Sequence, residues 1–299
     1  MYLVEGIIME RNTSAIIIAY NPNITVLKNN IYNIIQSPYV KDVIIVDNSS
    51  TNNLADLEEI SNVKLIHLGV NKGIATAQNI GLDYIKKTKV SFAILFDQDS
   101  EIDTSLIGYL IEGFYELKIL GYKIAAVGPR PFDLFEDKDM RPLVQREKKI
   151  AGKWSLTKQI IASGKLIDVN VLEIVGMMED DLFIDGVDHE WCWRARKYGY
   201  QIAIIDKAVM RHRLGDARGK FMGLTYKIGS PIRLYYQFRN ILVLCRRSYV
   251  PIYWKIRCLL SIIFRVCIFS IAGNDTKQRQ KYMLKGIIDG IKNKKGMIE

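Results

Sequence analysis

The first half of the chain alternates short β-branched runs with longer stretches of helical periodicity, and this alternation limits the folds open to it. "TSAIIIAY" (13–20), "DVIIVD" (42–47), "VKLIHL" (63–68) and "VSFAILF" (90–96) are too short for helices and rich in Ile and Val, so they read as strands. Between them, Pro22 leads into "NITVLKNNIYNIIQ" and Gly73 into "IATAQNIGLDYIKK", with apolar residues at helical spacing. A further helix, "TSLIGYLIEGFYELKILG", is expected to begin on a Thr cap and stop at Gly121, ahead of the strand "KIAAVG". This order gives an α/β fold: a mostly parallel sheet flanked by helices on both faces, with ligands at the carboxyl ends of the strands.

Polar residues gather at those ends: Tyr20-Asn21-Pro22, Asp47-Asn48-Ser49-Ser50, Asn71-Lys72-Gly73 and Asp97-Gln98-Asp99-Ser100. In "SFAILFDQDSEID" an apolar run leads straight into Asp97 and Asp99 with no basic neighbour. Two carboxylates at the mouth of a buried strand repel each other unless a cation or a ligand sits between them. No GxGxxG follows the first strand and no GxxxxGK[ST] occurs, so neither the usual dinucleotide fold nor a P-loop is indicated. Residues 129–150, charged and broken by prolines, read as a long exposed loop able to order over a ligand. Beyond it, "EDDLFIDGVDHE" (179–190) crowds six carboxylates ahead of a helix, "HEWCWRARKYG", and of strands that reach His212.

With 299 residues, 49% of them hydrophobic, the chain can bury a large core and is not a disordered tail. Its net charge of +10 is unevenly spread. Residues 218–299 hold 17 basic and 3 acidic side chains, which leaves residues 1–217 mildly acidic. That asymmetry calls for an anionic partner or surface, such as membrane phospholipid or nucleic acid. A nucleic-acid partner rests on charge alone, and paired carboxylates in an acidic body oppose it, so no nucleic acid is expected. Cys192, Cys245, Cys258 and Cys267 lack zinc-like spacing and read as reduced thiols. The N-terminus "MYLVEGIIMERNTS" makes a poor signal peptide, so a cytoplasmic body is expected.

Seven segments carry a resemblance: "IIIAYNP", "VIIVDNSS", "NKGIATAQNIGL", "LFDQDS", "ASGKLI", "LFIDGVDHEWCWRARKYGY" and "RHRLGD". In this order and spacing, over roughly residues 13–216, the chain resembles the inverting family 2 glycosyltransferases of GT-A fold. Among these it is most similar to the bacterial rhamnosyltransferases that build surface polysaccharides. The resemblance implies a catalytic domain over 1–217, with a nucleotide-sugar half at about 13–128 and an acceptor half at about 150–217. It implies a nucleotide-sugar donor, dTDP-L-rhamnose, and a lipid-linked glycan acceptor in O-antigen or capsule synthesis. Another UDP- or dTDP-linked sugar stays open as the donor. Outside this class, a haloacid dehalogenase-type phosphatase shares the strand-end DxD, but at its first strand, whereas here three strands precede it.

By the same resemblance the donor is held by Tyr20, Asp47, Asn71, Gly73, Asp97 and Asp99. Asp47 would accept the pyrimidine imide N–H, or else close a turn through Asn48 and Ser49. Asn71 and Gly73 would let the backbone approach the nucleotide, with a helix N-terminus behind them facing its charge. Asp97 and Asp99 form the DxD that holds Mg²⁺ or Mn²⁺, Asp99 directly and Asp97 through water or by contacting the ribose; His212 is a third candidate ligand. Asp188, at the head of the helix that starts at His189, takes the place of the general base, with Asp185 as the alternative. Neighbouring carboxylates are expected to raise each other's proton affinity there. Glu190 and Trp191 fall on the acceptor side, Trp191 as a platform for a sugar ring or as core. Arg194 and Arg196 face phosphate or the acidic loop, and His67 and His189 read as structural.

The remaining region, 218–299, reads as basic amphipathic helices. Its apolar stretch "YWKIRCLLSIIFRVCIFSIAG" is interrupted by Lys255, Arg257 and Arg265, short of the ~20 residues a spanning helix needs. Helices lying in a membrane interface and helices packed on the catalytic domain both fit this pattern. The first reading makes the membrane surface a partner, with the protein peripheral on the cytoplasmic face of the inner membrane.

Overall fold

Ile and Val on both sides of a strand suit a sheet covered on both faces, and the central strand shows this directly. In the computed structural model, which describes residues 3–4, 7–8, 11–51, 53–133, 138–139, 147–212, 217–221, 224–228, 230–271 and 276–298, a small hairpin comes first. It pairs β1 (Leu3–Val4) with β2 (Ile7–Ile8). The strand β3 (Thr13–Ala19) follows, buried nearly throughout. Ala15, Ile17 and Ala19 pack toward α1 (Ile24–Ile35), while Ile16 faces α2 (Ile74–Lys86) on the other side. Asn23, just after Pro22, caps α1 by accepting from the Val26 N–H at 3.2 Å.

Strands β4 (Val40–Asp47), β5 (Val63–His67) and β6 (Phe92–Asp97) complete a parallel half-sheet in the order β5-β4-β3-β6. The order reverses at β3, whose neighbours β4 and β6 lie on either side of it. A crevice therefore opens at the carboxyl ends of β3 and β6. Its walls are tied together by Gln98, whose Oε1 accepts from the Tyr20 N–H at 2.6 Å. The α3 helix (Leu106–Ile119) shares the α1 face and leads into β7 (Ile124–Asp133). The Thr cap expected for α3 is displaced by one residue: Ser105 holds the cap position, and its N–H is bound by Asp103 Oδ1 at 2.8 Å.

The second half of the sheet is mixed rather than parallel. It comprises β8 (Lys138–Asp139), β9 (Lys148–Ile150), β10 (Trp154–Thr157), β11 (Lys165–Asp168) and β12 (Gln201–His212), in the order β6-β11-β7-β12-β10-β9, with β8 beside β7. Between β6 and β7, β11 is antiparallel to both, while β7 and β12 run parallel. The expected loop at 129–150 is therefore partly strand: β7 continues to Asp133 because β12 is long enough to pair with it as far as His212. Residues 134–137 and 140–146 of that expectation lie outside the described residues.

A single turn, α4 (Leu172–Val175), precedes α5 (Val187–Lys197). After β12 come a hairpin, β13 (Ala217–Phe221) with β14 (Leu224–Ile228), and three helices, α6 (Pro231–Cys245), α7 (Ile252–Ile271) and α8 (Thr276–Ile291). Pro231 opens α6 where its missing N–H costs nothing. Ile241, Val243, Leu244, Val250 and Trp254 belong to the same apolar cluster as α2 and α5, so the core runs without a break from the sheet into the C-terminal helices. Trp254 is buried edge-on against Trp193 at 4.9 Å, as helices packed on the catalytic domain require.

Candidate active site

The donor edge is a lattice of short side chains. Asp47 is fully buried at the end of β4; its Oδ1 accepts from the Ser49 N–H at 3.0 Å, and its Oδ2 from His67 Nδ1 at 2.8 Å. The turn through Asn48 and Ser49 forms, and His67, next in the sheet, fixes the carboxylate from behind. Asn48 and Asn71 join the second and third strand ends, Asn48 Nδ2 donating to Asn71 Oδ1 at 3.0 Å and Asn48 Oδ1 accepting from the Lys72 N–H at 2.7 Å. Asn71 Oδ1 also accepts from the Gly73 N–H. Tyr20 stands exposed at the opposite wall.

Gly73 has a different reason from the one expected. Its φ is 85°, and a Cβ there would lie 2.6 Å from the Phe183 ring and 2.7 Å from the Phe183 carbonyl oxygen. That carbonyl accepts the Ile74 N–H at 2.8 Å and the Ala75 N–H at 3.3 Å. The first donors of α2 are thus satisfied by the chain itself, not turned toward a nucleotide, and Gly73 is where the donor edge meets the acidic segment.

Asp97 and Asp99 follow β6 as the sequence indicates, Asp99 exposed and Asp97 partly covered. Burial, with the charges of Asp99 and Asp188 adding to it, pushes the Asp97 carboxyl up to about 6; Arg233 opposes this. Negative charge is thus concentrated beyond what nearby cations balance, and two hard carboxylates are the donor set a Mg²⁺ or Mn²⁺ ion takes alongside substrate phosphates. Among the described residues no cluster of three or more His, Cys, Asp or Glu could hold a metal by itself. The residues fit an ion that shares its coordination with a diphosphate. His212 closes β12 opposite Asp133 in backbone register, and its side chain lies outside the described residues.

The acidic segment is largely neutralised from the C-terminal region. Arg247 Nη1 donates to Glu179 at 2.8 Å and to Glu190 at 3.2 Å, and Lys295 pairs with Asp181 at 2.7 Å. Asn79 donates to Asp180 at 2.7 Å, and Arg233 forms a fork onto Asp185 at 2.9–3.2 Å. The loop itself is strained: Phe183 and Asp185 both have φ of 62°, unusual for residues bearing a Cβ, and Gly186 follows at 93°. Helix α6 holds it there. Asn240 Nδ2 donates to the carbonyls of Leu182, Ile184 and Asp185 at 2.6–2.9 Å, and buried Arg239 donates to those of Asp181, Leu182 and Gly296. Phe183 stacks on Tyr236 at 4.7 Å.

Asp188 lies within the first turn of α5, not at its cap; Gly186 holds the cap position and Asp188 Oδ1 accepts from the His189 N–H at 3.0 Å. Its protonation also departs from expectation. Burial alone would push the carboxyl up, but His189, Lys165 and two backbone N–H groups outweigh it and hold Asp188 below the usual carboxylate range. The residue raised by neighbouring carboxylates is Asp97, not Asp188. Burial, with Lys165 and Arg257, lowers the His189 imidazole despite Asp188, so His189 stays neutral near pH 7. Lys165, fully buried in "ASGKLI", donates to the Asp188 carbonyl at 3.1 Å. Its place beside Asp188 is not readable from the sequence, where it is one lysine ahead of a strand.

On the acceptor side, Trp191 takes the core alternative, and the expectation for Glu190 is corrected. Both are fully buried. Trp191 Nε1 donates to the Gly176 carbonyl at 3.0 Å, so its ring is core. Glu190 is ringed by Arg194, Arg247 and Tyr249, whose hydroxyl donates to it at 2.6 Å. Arg194 also reaches the carbonyls of Val175 and Met177, and Arg196 that of Thr157, so neither guanidinium is committed to phosphate. A cleft of about 1020 Å³ opens on the α1 and α3 side of Asp99, lined among others by Asn29, Asn33, Tyr109, Phe132 and Arg211. Asp99 forms its rim, while Asp97 and Asp188 lie outside it.

Comparison with known proteins agrees with this geometry. Residues 14–167 match the family described as Glycosyl transferase family 2. Over 305 aligned residues the chain is 36% identical to the dTDP-rhamnosyl transferase RfbF of Shigella flexneri, covering 95% of this chain and 97% of that one. Among solved structures, it is similar to GalNAc-T7 with UDP, GalNAc and Mn²⁺ (TM-score 0.60, 14% identity), covering 95% of this chain and 56% of that one. It is also similar to the mannosyltransferase PcManGT of Pyrobaculum calidifontis with GDP-Man and Mn²⁺ (TM-score 0.57, 11% identity), covering 95% and 88%. S. aureus TarS 1-349 in complex with UDP-GlcNAc aligns with a TM-score of 0.55 at 16% identity, covering 94% and 81%. At such identities the solved structures speak for the fold.

Proposed function

Since the chain belongs to glycosyl transferase family 2 and has the GT-A fold, making it a glycosyltransferase, we propose that it moves L-rhamnose from dTDP-L-rhamnose, with inversion, onto a lipid-linked glycan. The observation that carries the donor is the 36% identity to a dTDP-rhamnosyl transferase along almost the whole of both chains. The acceptor, in O-antigen or capsule assembly, would be met at the cytoplasmic face of the inner membrane by a peripheral protein. In keeping with that, no helix among the described residues is long and apolar enough to cross a membrane.

Asp188 is the base. It takes the proton of the acceptor hydroxyl as that oxygen bonds to the anomeric carbon and the bond from that carbon to the diphosphate breaks, releasing dTDP on the opposite face. Supporting this, Asp188 lies close enough to Asp97 for their charges to interact and is ionised at neutral pH, free to take a proton, whereas Asp185 is clasped by Arg233. Tyr20, Asp47, Asn71 and Gly73 shape the nucleotide edge, Asp47 and Gly73 by positioning the backbone. Asp99 and Asp97 would hold Mg²⁺ or Mn²⁺, with His212 as a third candidate; such an ion supplies neutralisation of charge on the departing diphosphate. The test offers purified protein a panel of nucleotide sugars with either ion and follows nucleotide release with and without a lipid-linked acceptor. Acceptor-dependent release of dTDP from dTDP-L-rhamnose is expected; turnover confined to a UDP-sugar would replace the donor. Chelation is expected to suppress transfer, and full activity in chelator would remove the ion.

A further inference from the structure

The α7 helix presents a stripe of apolar side chains to solvent. Ile252, Ile256, Leu259, Leu260, Ile263 and Phe264 are each between 42% and 70% exposed, and their spacing of three and four residues puts them on one face. The charges that break this stretch in the sequence are turned elsewhere. Lys255 donates to the Arg247 carbonyl at 2.7 Å, and Arg265 to Gln237 at 2.8 Å, leaving Arg257 at the border. The opposite face buries Trp254, Ile268 and Phe269, so α7 is anchored to the protein on one side and bare on the other. An apolar surface of this kind on a soluble domain marks something that covers it.

The surrounding charge says what. On α8, Leu284, Ile288 and Ile291 are exposed among Lys277, Lys281 and, just past its end, Lys292. Among the described residues from Ile252 to Ile298 the one acidic side chain is Asp289, buried and bonded to Tyr235. A second copy of this chain, docked by two-fold symmetry, would set the same cationic rim against itself with no carboxylate to answer it. An anionic bilayer answers both features, taking up the apolar stripe at the acyl boundary and the lysines at the headgroups. We infer that the bare face of α7, with the lysines of α8, docks the protein onto an anionic lipid surface, the helix lying in the interface. This deepens the peripheral attachment proposed above by naming the element and the lipid class. It also gives the clamp on the catalytic loop a setting, since α6, which holds residues 181–185, packs against both α7 and α8.

The test uses the full chain and no sugar donor, so its outcome is independent of which nucleotide sugar is used. Co-sedimentation is measured with vesicles of phosphatidylethanolamine and phosphatidylglycerol, and with vesicles of phosphatidylcholine alone. The intact protein is expected to bind the anionic vesicles, less as salt rises, and the neutral ones weakly. Leu260→Glu with Ile263→Glu, both at exposed positions, should keep the melting temperature and weaken binding about tenfold or more. Lys277→Glu with Lys281→Glu should weaken binding by a comparable factor and flatten the salt dependence. Three results would overturn the inference: an intact protein that ignores anionic vesicles at low salt, undiminished binding by the Leu260/Ile263 variant, or a dimer in solution that this variant turns into a monomer.

Discussion

Folding moves two carboxyls of one site in opposite directions. Asp97 is pushed up to about 6 from 3.8 by burial and by Asp99 and Asp188, so the folded protein binds its proton more tightly than the unfolded chain does. The Asp97 contribution to the stability of the metal-free protein therefore falls as pH rises from 3.8 to about 6, and stays lower above that. Asp97→Asn removes the charge at constant shape. In chelator at pH 7.5 it should raise stability by about 1–3 kcal/mol and abolish that slope, while transfer is lost. Melting curves with and without chelator check this, and an Asn variant no more stable than its parent would show that the repulsion is not there. Asp188 moves the other way, and its role is separable from binding. Asp188→Asn should keep nucleotide affinity yet lower transfer by about 10²–10⁴, with Asp185→Asn costing less. Titration of dTDP and a product assay must then dissociate; near-normal transfer by the Asp188 variant with a dead Asp185 variant would reassign the base.

At the scale of elements, the site depends on a strained loop and the helix that holds it. Phe183 links the two halves, its carbonyl capping α2 and its ring stacking on α6. Asn240→Ala leaves the carbonyls of Leu182, Ile184 and Asp185 without that donor, which should cost about 1–3 kcal/mol of stability. Because the loop carries Asp185 and leads into Asp188, the rate of transfer should fall by a larger factor than stability alone predicts at a temperature where the variant is folded. A fully active Asn240→Ala enzyme would show that the loop keeps its shape unaided. The strands bearing Asp47 and Asp97 were legible because a β-branched run followed by a polar cluster is a local signal. The role of Asn240 was not, since its acceptors lie 55–58 residues earlier in the chain. Nor was the direction of β11, because four apolar and polar residues read alike in parallel and antiparallel pairing. Which of its two readings Trp191 takes was not legible for a related reason: helical spacing puts it beside Asp188, while the Gly176 carbonyl that accepts its indole N–H comes from another element.

For the molecule as a whole, the basic C-terminal region has an internal role, apart from the docking inferred above. The sequence shows an acidic body and a basic tail but not that they fit each other: Arg233, Arg247 and Lys295 each reach a carboxylate of the 179–190 segment. Deleting residues 218–299 therefore should not yield a working catalytic domain. Such a chain loses Arg247 and Tyr249 from around Glu190, leaving Arg194 as the remaining partner, among the described residues, of a carboxylate that the intact fold buries fully. The burial and pairing of this carboxylate are built from both parts of the chain, so the segment before residue 218 lacks what holds Glu190 in place. Removal of Trp254 also bares Trp193, and loss of Ile241 and Leu244 opens the α5 side of the core. The expected result for residues 1–217 is an insoluble chain, or a soluble one with no cooperative melting transition, and the same holds for a chain cut at Ser230. Circular dichroism and calorimetry decide it. A truncated protein that melts cooperatively and binds dTDP would mean that the catalytic half folds alone and that the C-terminal helices are an appendage, leaving the loop at 181–185 to be shaped by the sheet rather than by α6.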